Sequence, residues 1–244
     1  MEKNINRLLF ILAGAAVVFG ALAFVFRNAG HDNAAEGDER YSVCDYIELN
    51  LLKMNAEIIS YDGDEIRVCY KNNLPLIVEH GDNSIKISED ERFVISLFAG
   101  SQSEFGVSVY LPERSYREIS VVTGGGNVRV GRVDSRQFNV ITETGDITFN
   151  DAVSQFNIST TSGFISLDIE AAMRNCSILS RKGDVDVFVS EKASVAVDFE
   201  TRTGACVSEI TGGRAYGNGV YGINGGARLI YAAVQEGTLT IKKR

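Results

Sequence analysis

Residues 119–130 read ISVVTGGGNVRV. Apolar side chains stand at 119 and 121, a threonine at 123, a glycine at 126, and valines at 128 and 130. Alternation at period two on both sides of a glycine describes two short half-buried strands joined by a turn, because successive side chains of a strand point to opposite faces. Counted from the glycine, the template is apolar at −7 and −5, Ser or Thr at −3, and apolar at +2 and +4.

Downstream, the template recurs around Gly145 (FNVITETGDITF), Gly163 (FNISTTSGFISL), Gly183 (CSILSRKGDVDV) and Gly204 (VDFETRTGACVS), where Ser208 takes the last apolar place. Weaker copies centre on Gly63, Gly81 and Gly237. Glycines 126, 145, 163, 183 and 204 are 19, 18, 20 and 21 residues apart, a regular period of the kind that marks a solenoid. One unit alone exposes an apolar face. Stacking at about 4.8 Å per strand buries these faces in one column, and eight units make a rod about 40 Å long. The expectation is an all-β, single-domain β-solenoid of two-strand coils, each about 18–21 residues, with corner glycines at 63, 81, 126, 145, 163, 183, 204 and 237.

At these corners, glycine is expected to supply positive φ, and the Ser or Thr at −3 to point inward and bond a turn backbone group. Asp or Asn after the glycine (Asp64, Asp82, Asn127, Asp146, Asp184) suits the same turn. Stacked Gly-Asp turns could in principle hold calcium, but the nine-residue calcium repeat is missing and Phe164 interrupts the row, so turn chemistry is the preferred reading.

Ahead of the repeats, Leu8 to Phe26 is nineteen apolar residues without a charge, enough for a helix of about 28 Å and so for a bilayer core. Ala21-Leu22-Ala23 resembles a signal-peptide cleavage site, yet the run exceeds the usual length of a signal h-region, which favours an uncleaved anchor. Lys3 and Arg7 precede it, and Asp32, Glu36, Asp38 and Glu39 follow Arg27, which places the N-terminus in the cytoplasm and the domain outside. The expected division is a cytoplasmic segment 1–7, a transmembrane helix 8–26, a solvated linker 27–43 and a β-solenoid 44–244.

The formal net charge of −8 argues against a nucleic-acid partner, because affinity for phosphate backbones comes from clustered Lys and Arg. Cys44, Cys69, Cys176 and Cys206 lack CxxC spacing, and His31 and His80 are the only histidines, so zinc-site patterns are absent. Buried thiols are the preferred reading of the four cysteines, with disulfides the alternative in an oxidising compartment. The chain has no GxSxG elbow, HExxH pair or P-loop, and Gly124-Gly125-Gly126 leads into a strand where a phosphate loop would lead into a helix. Asp184 and Asp186 alternate onto one outward face, as a carboxylate pair for glycan hydrolysis would, but a solvated strand face explains them more simply. No catalytic, cofactor-binding or metal-binding residue is assigned. Gly212 to Gly226 lengthens the last interval to 33 residues, and its Tyr216 and Tyr221 are the candidate binding loop.

The stretch Gly106 to Val130 combines an alternating strand ending in Leu-Pro, a short spacer, and apolar-x-apolar-x-Thr-x-x-Gly-x-apolar. With the repeats that follow, residues 44–244 resemble the bacterial putative-adhesin family, a domain of unknown function. That resemblance implies a β-solenoid displayed at the cell envelope and carries no catalytic motif. A non-enzymatic module binding a cell-wall polymer, an envelope protein or a second copy is the leading expectation. The alternative is a regulatory ectodomain in envelope-stress signalling through a membrane partner, and a degenerate β-helix enzyme ranks third.

Overall fold

The period-two pattern folds into strands whose inward side chains are shut away from solvent. A computed structural model describes residues 35–72, 76–89, 106–152, 155–169, 176–190, 193–223, 225–226 and 229–244; these are all-β, with no helix among the described residues. In the first half of the chain lie β1 (Ala35–Tyr41), β2 (Tyr46–Leu51), β3 (Asn55–Tyr61), β4 (Ile66–Asn72), β5 (Leu76–His80), β6 (Ser84–Glu89), β7 (Gly106–Pro112), β8 (Ser115–Thr123) and β9 (Val128–Val130). The middle supplies β10 (Asp134–Thr144), β11 (Ile147–Ala152), β12 (Phe156–Ser162), β13 (Ile165–Ile169), β14 (Cys176–Lys182) and β15 (Val185–Val189). Last come β16 (Val195–Thr201), β17 (Ala205–Ser208), β18 (Gly213–Ala215), β19 (Asn218–Ile223), β20 (Leu229–Glu236) and β21 (Thr238–Lys243).

The strands form two sheets, an eleven-stranded one ordered β1-β4-β7-β3-β9-β11-β13-β15-β21-β17-β18 and a ten-stranded one ordered β19-β16-β20-β14-β12-β10-β8-β2-β6-β5. Each coil gives one strand to each sheet, and neighbouring coils pair in parallel. Their registers align the template residue for residue: Val121, Val140 and Ile158 pair in one sheet, and Val128, Ile147 and Ile165 in the other. Between the sheets, Phe149 meets Phe138 edge-on at 5.0 Å and Phe156 at 6.0 Å. Each such buried ring contributes roughly 1.5–3 kcal/mol.

The coils are not stacked in chain order. At one end β2 and β3 sit between the β6–β7 coil and the β8–β9 coil, and at the other the final strands β20 and β21 are inserted between β14–β15 and β16–β17. The C-terminal strand is therefore interior. Antiparallel strands then finish each end: β4 and β1 beyond β7, β5 beyond β6, β19 beyond β16 and β18 beyond β17. The parallel column is thus flanked by antiparallel strands, and the outermost strands of the two sheets are β1 and β18 in one and β19 and β5 in the other.

Three expectations change. The linker 27–43 is too long, because Ala35–Tyr41 is strand β1, paired along its length with β4. Its charges hid it: Asp38 pairs with Arg67 and Glu39 accepts from the Tyr70 hydroxyl, so the strand is held by polar contacts without an apolar alternation. Gly63 and Gly81 are not corners between the sheets. Gly63 lies in the connection between β3 and β4, two strands of one sheet, and Gly81 closes the antiparallel β5–β6 hairpin through its N–H to Ser84 O at 2.8 Å. Segments 1–7 and 8–26 lie outside the described residues.

Candidate functional site

The most regular constellation is the corner where a coil passes from one sheet to the other. In spatial order it is occupied by Met54, Gly126, Gly145, Gly163, Gly183, Gly237 and Gly204. A Cβ on any of these glycines would lie within 2.8 Å of the carbonyl carbon of the residue before it in that order, well inside ordinary contact. Close approach of stacked backbones is therefore the shared reason for glycine. Positive φ adds a second one at Gly163, Gly183 and Gly237, at 156°, 134° and 141°, whereas Gly126, Gly145 and Gly204 have no such φ.

Beside five of these glycines the residue at −3 is a buried Ser or Thr, and beside Gly237 it is the buried Val234. Thr142, Ser180 and Thr201 donate to the carbonyls of Gly145, Gly183 and Gly204, each at 3.3 Å, while Thr123 Oγ1 accepts from the Gly126 N–H at 3.0 Å. These hydroxyls satisfy polar groups that the turn would otherwise strand inside the core. The Asp and Asn at +1 act between coils and not within their own turns. Asn55 Oδ1 accepts from Asn127 N, Asn127 Oδ1 from Asp146 N, Asp146 Oδ1 from Phe164 N, and Asp184 Oδ1 from Thr238 N, all at 2.7–2.9 Å. The oxygens that suggested calcium are thus engaged in joining one coil to the next, and no group of three His, Cys, Asp or Glu side chains arranged for a metal occurs among the described residues. Asp186, weighed as half of a carboxylate pair, is ion-paired to Lys242 at 2.7 Å.

Two corner residues escaped the sequence reading. Met54 stands in the glycine position of the β2–β3 coil, where Leu51 aligns with Thr123 and Ala56 with Val128. Glu89 follows Ile85 and Ile87 at the −3 place, and its buried Oε2 accepts from Leu52, Lys53 and Met54 N–H at 2.8, 3.0 and 3.4 Å. The spacing apolar-x-apolar-x-Glu could have revealed it. The four cysteines are thiols; Cys44, Cys176 and Cys206 are buried, and burial pushes Cys176 up to about 11 and Cys206 to about 12.

The two candidate tyrosines separate. Tyr221 stacks on Phe199 at 5.5 Å, packed against the core as part of the β19 cap. Tyr216 is 69% exposed and lines a cleft of about 440 Å³ at the last corner, with Arg202, Thr203, Ala205, Arg214 and Thr238. The guanidinium of Arg214 lies 5.4 Å from its ring centre. No signal in the sequence pointed to Arg202 and Arg214, which meet only because β18 folds back along β17.

Two parallel sheets joined by repeating corners, with antiparallel caps, define a two-sided β-solenoid repeat protein. The chain belongs to the Toastrack DUF4097 family, whose model matches residues 44–191 and 133–242. Among solved structures it is similar to a putative cell adhesion protein from Clostridium sporogenes, at 14% identity and a TM-score of 0.52 over 86% of this chain and 100% of that one. That likeness extends to the fold alone. It is also similar to a putative adhesin from Bacteroides fragilis (14% identity, TM-score 0.42, 86% and 96% covered). A putative lipid binding protein from Parabacteroides distasonis (13%, 0.35, 88% and 95%) is more distant. No curated protein matches the chain.

Proposed function

We propose that this protein is a single-pass membrane protein, with residues 1–7 in the cytoplasm and 8–26 as the anchor, whose β-solenoid stands outside the membrane. There it works without catalysis, by binding a cell-wall polymer. The uninterrupted apolar run and the basic residues before it support the topology.

One observation carries the binding role. On the outer face of the ten-stranded sheet Val122, Ile141 and Leu179 are 39%, 50% and 44% exposed, and they lie in one row across the coils with Ser159 between the last two. The row beside it is Ser120, Asn139, Asn157 and Ser177, in which Asn157 donates to Asn139 Oδ1 at 3.0 Å and Ser177 to Asn157 Oδ1 at 2.9 Å. An apolar strip beside a hydrogen-bonded polar strip, repeating about every 4.8 Å, is a surface matched to an extended chain with its own regular repeat.

The test is retention of the purified full-length protein on isolated cell-wall sacculi, for the native chain and for Ile141→Asp with Leu179→Asp. Retention by the native chain and its loss in the variant support the proposal. No retention of the native chain, with one reproducible membrane protein recovered from envelopes instead, favours the regulatory-ectodomain alternative.

A further inference from the structure

The row of side-chain oxygens along the corners stops before the end of the solenoid. Asn55, Asn127, Asp146 and Asp184 each accept an N–H of the next coil, but the last two coils carry Thr238 and Ala205 at that place, and neither brings a carboxylate. The charge changes sign there as well. Arg202 lies two residues before Gly204, Arg214 is in β18, and both line the cleft around Gly204, Ala205 and Thr238. No carboxylate among the described residues pairs with either, whereas Arg40, Arg67, Arg114, Arg117, Arg129 and Arg244 all have acidic partners.

We propose that this cleft binds an anionic group, a carboxylate or a phosphate ester, carried on a wall polymer, with Arg202 and Arg214 as its cationic contacts. Guanidinium is the side chain best matched to the planar fork of a carboxylate or phosphate, and it stays charged at any physiological pH. The cleft, about 440 Å³, falls within the range of small-ligand sites. Exposed Tyr216 adds rigid amphipathic area for the body of a sugar, and the Thr203 and Thr238 side chains add polar rim. A chain of net charge −8 offers no general attraction for anions, so saturable anion binding points to a local cluster of cations such as these two. This deepens the wall-polymer reading and rests on it for the source of the ligand.

Three probes are titrated into purified full-length protein at low and moderate salt: trigalacturonate, a short glycerol phosphate oligomer and neutral galactotriose. The variants are Arg202→Gln, Arg214→Gln and, as control, Arg136→Gln on β10. All three replaced side chains are exposed, and unchanged thermal unfolding confirms the fold. The expected result is saturable binding of trigalacturonate, of the glycerol phosphate oligomer or of both, weaker or absent for galactotriose, and lost by about tenfold or more in either cleft variant but not in Arg136→Gln. Which anion binds tells carboxylate from phosphate. No binding of either anionic probe, equal binding of galactotriose, or binding indifferent to Arg202 and Arg214 overturns the proposal. Sacculus retention reads the outer sheet face, so failure here and failure of the wall-binding role are separable.

Discussion

Replacing Gly145 by alanine inserts one methyl group where two coils touch. Its Cβ would stand 2.8 Å from the Gly126 carbonyl carbon and closer still to the oxygen, while ordinary contact needs at least about 3.5 Å. Neither neighbour is the movable end of a side chain, so the coils must part by about 1 Å at that corner. Two backbone bonds span the contact that is forced apart: Thr144 N–H to Gly124 O at 2.9 Å and Val128 N–H to Asp146 O at 2.8 Å. Overpacking typically costs about 1–3 kcal/mol, and weakening these bonds adds up to about 1 kcal/mol, for a total of about 2–4 kcal/mol. Against this, alanine recovers only about 0.4–1 kcal/mol through the unfolded chain. Urea unfolding, followed by circular dichroism, measures the difference. Gly222→Ala is the control, since a Cβ there meets nothing within 4 Å and no positive φ is recorded, and it should be neutral or slightly stabilising. A Gly145→Ala protein within about 0.5 kcal/mol of the native one would show that the corners are not held by backbone contact.

Glu89→Ala leaves three buried-corner N–H groups without their acceptor and should destabilise by about 2–3 kcal/mol in the same urea assay, with Glu89→Gln intermediate. Deleting 229–244 removes a coil from inside the column and exposes the partner edges of β14, β15, β16 and β17, so limited trypsin digestion should degrade the whole C-terminal end; survival of a trypsin-resistant β16–β19 would contradict the inserted order. Burial raises the Cys206 thiol from about 9 to about 12, so the native state keeps a proton that the unfolded state loses. The stability this contributes is complete below pH 9 and lost progressively up to pH 12. The urea midpoint should therefore fall as pH rises from 8 to 11, less steeply in Cys206→Ala, and equal slopes would refute the link.

The regular block from Ile119 to Val187 was readable because each coil there spends its strands on one inward face, so burial leaves a period-two record. The ends were not, and for three different reasons. Strand β1 is held by Arg67 and Tyr70 on charged side chains and leaves no apolar trace. Around Gly63 and Gly81 alternation is present, but alternation is the same in an antiparallel hairpin and in a coil crossing between sheets, so it could not tell them apart. The insertion of β20–β21 between earlier coils depends on which edge a strand joins, and every coil edge offers the same apolar template. The candidate site divides likewise. Tyr216 and Tyr221 share a glycine-rich stretch, yet pairing of β19 with β16 turns Tyr221 onto Phe199 and leaves Tyr216 at the cleft.

Everything proposed about the role of this domain depends on the side of the membrane it occupies. The direct measurement is protease accessibility of the full-length chain, tagged after Arg244, in intact protoplasts and after permeabilisation. Loss of the tag and the domain in intact protoplasts is the predicted result. Protection until permeabilisation would put the solenoid in the cytoplasm and contradict both the orientation and the wall-binding role.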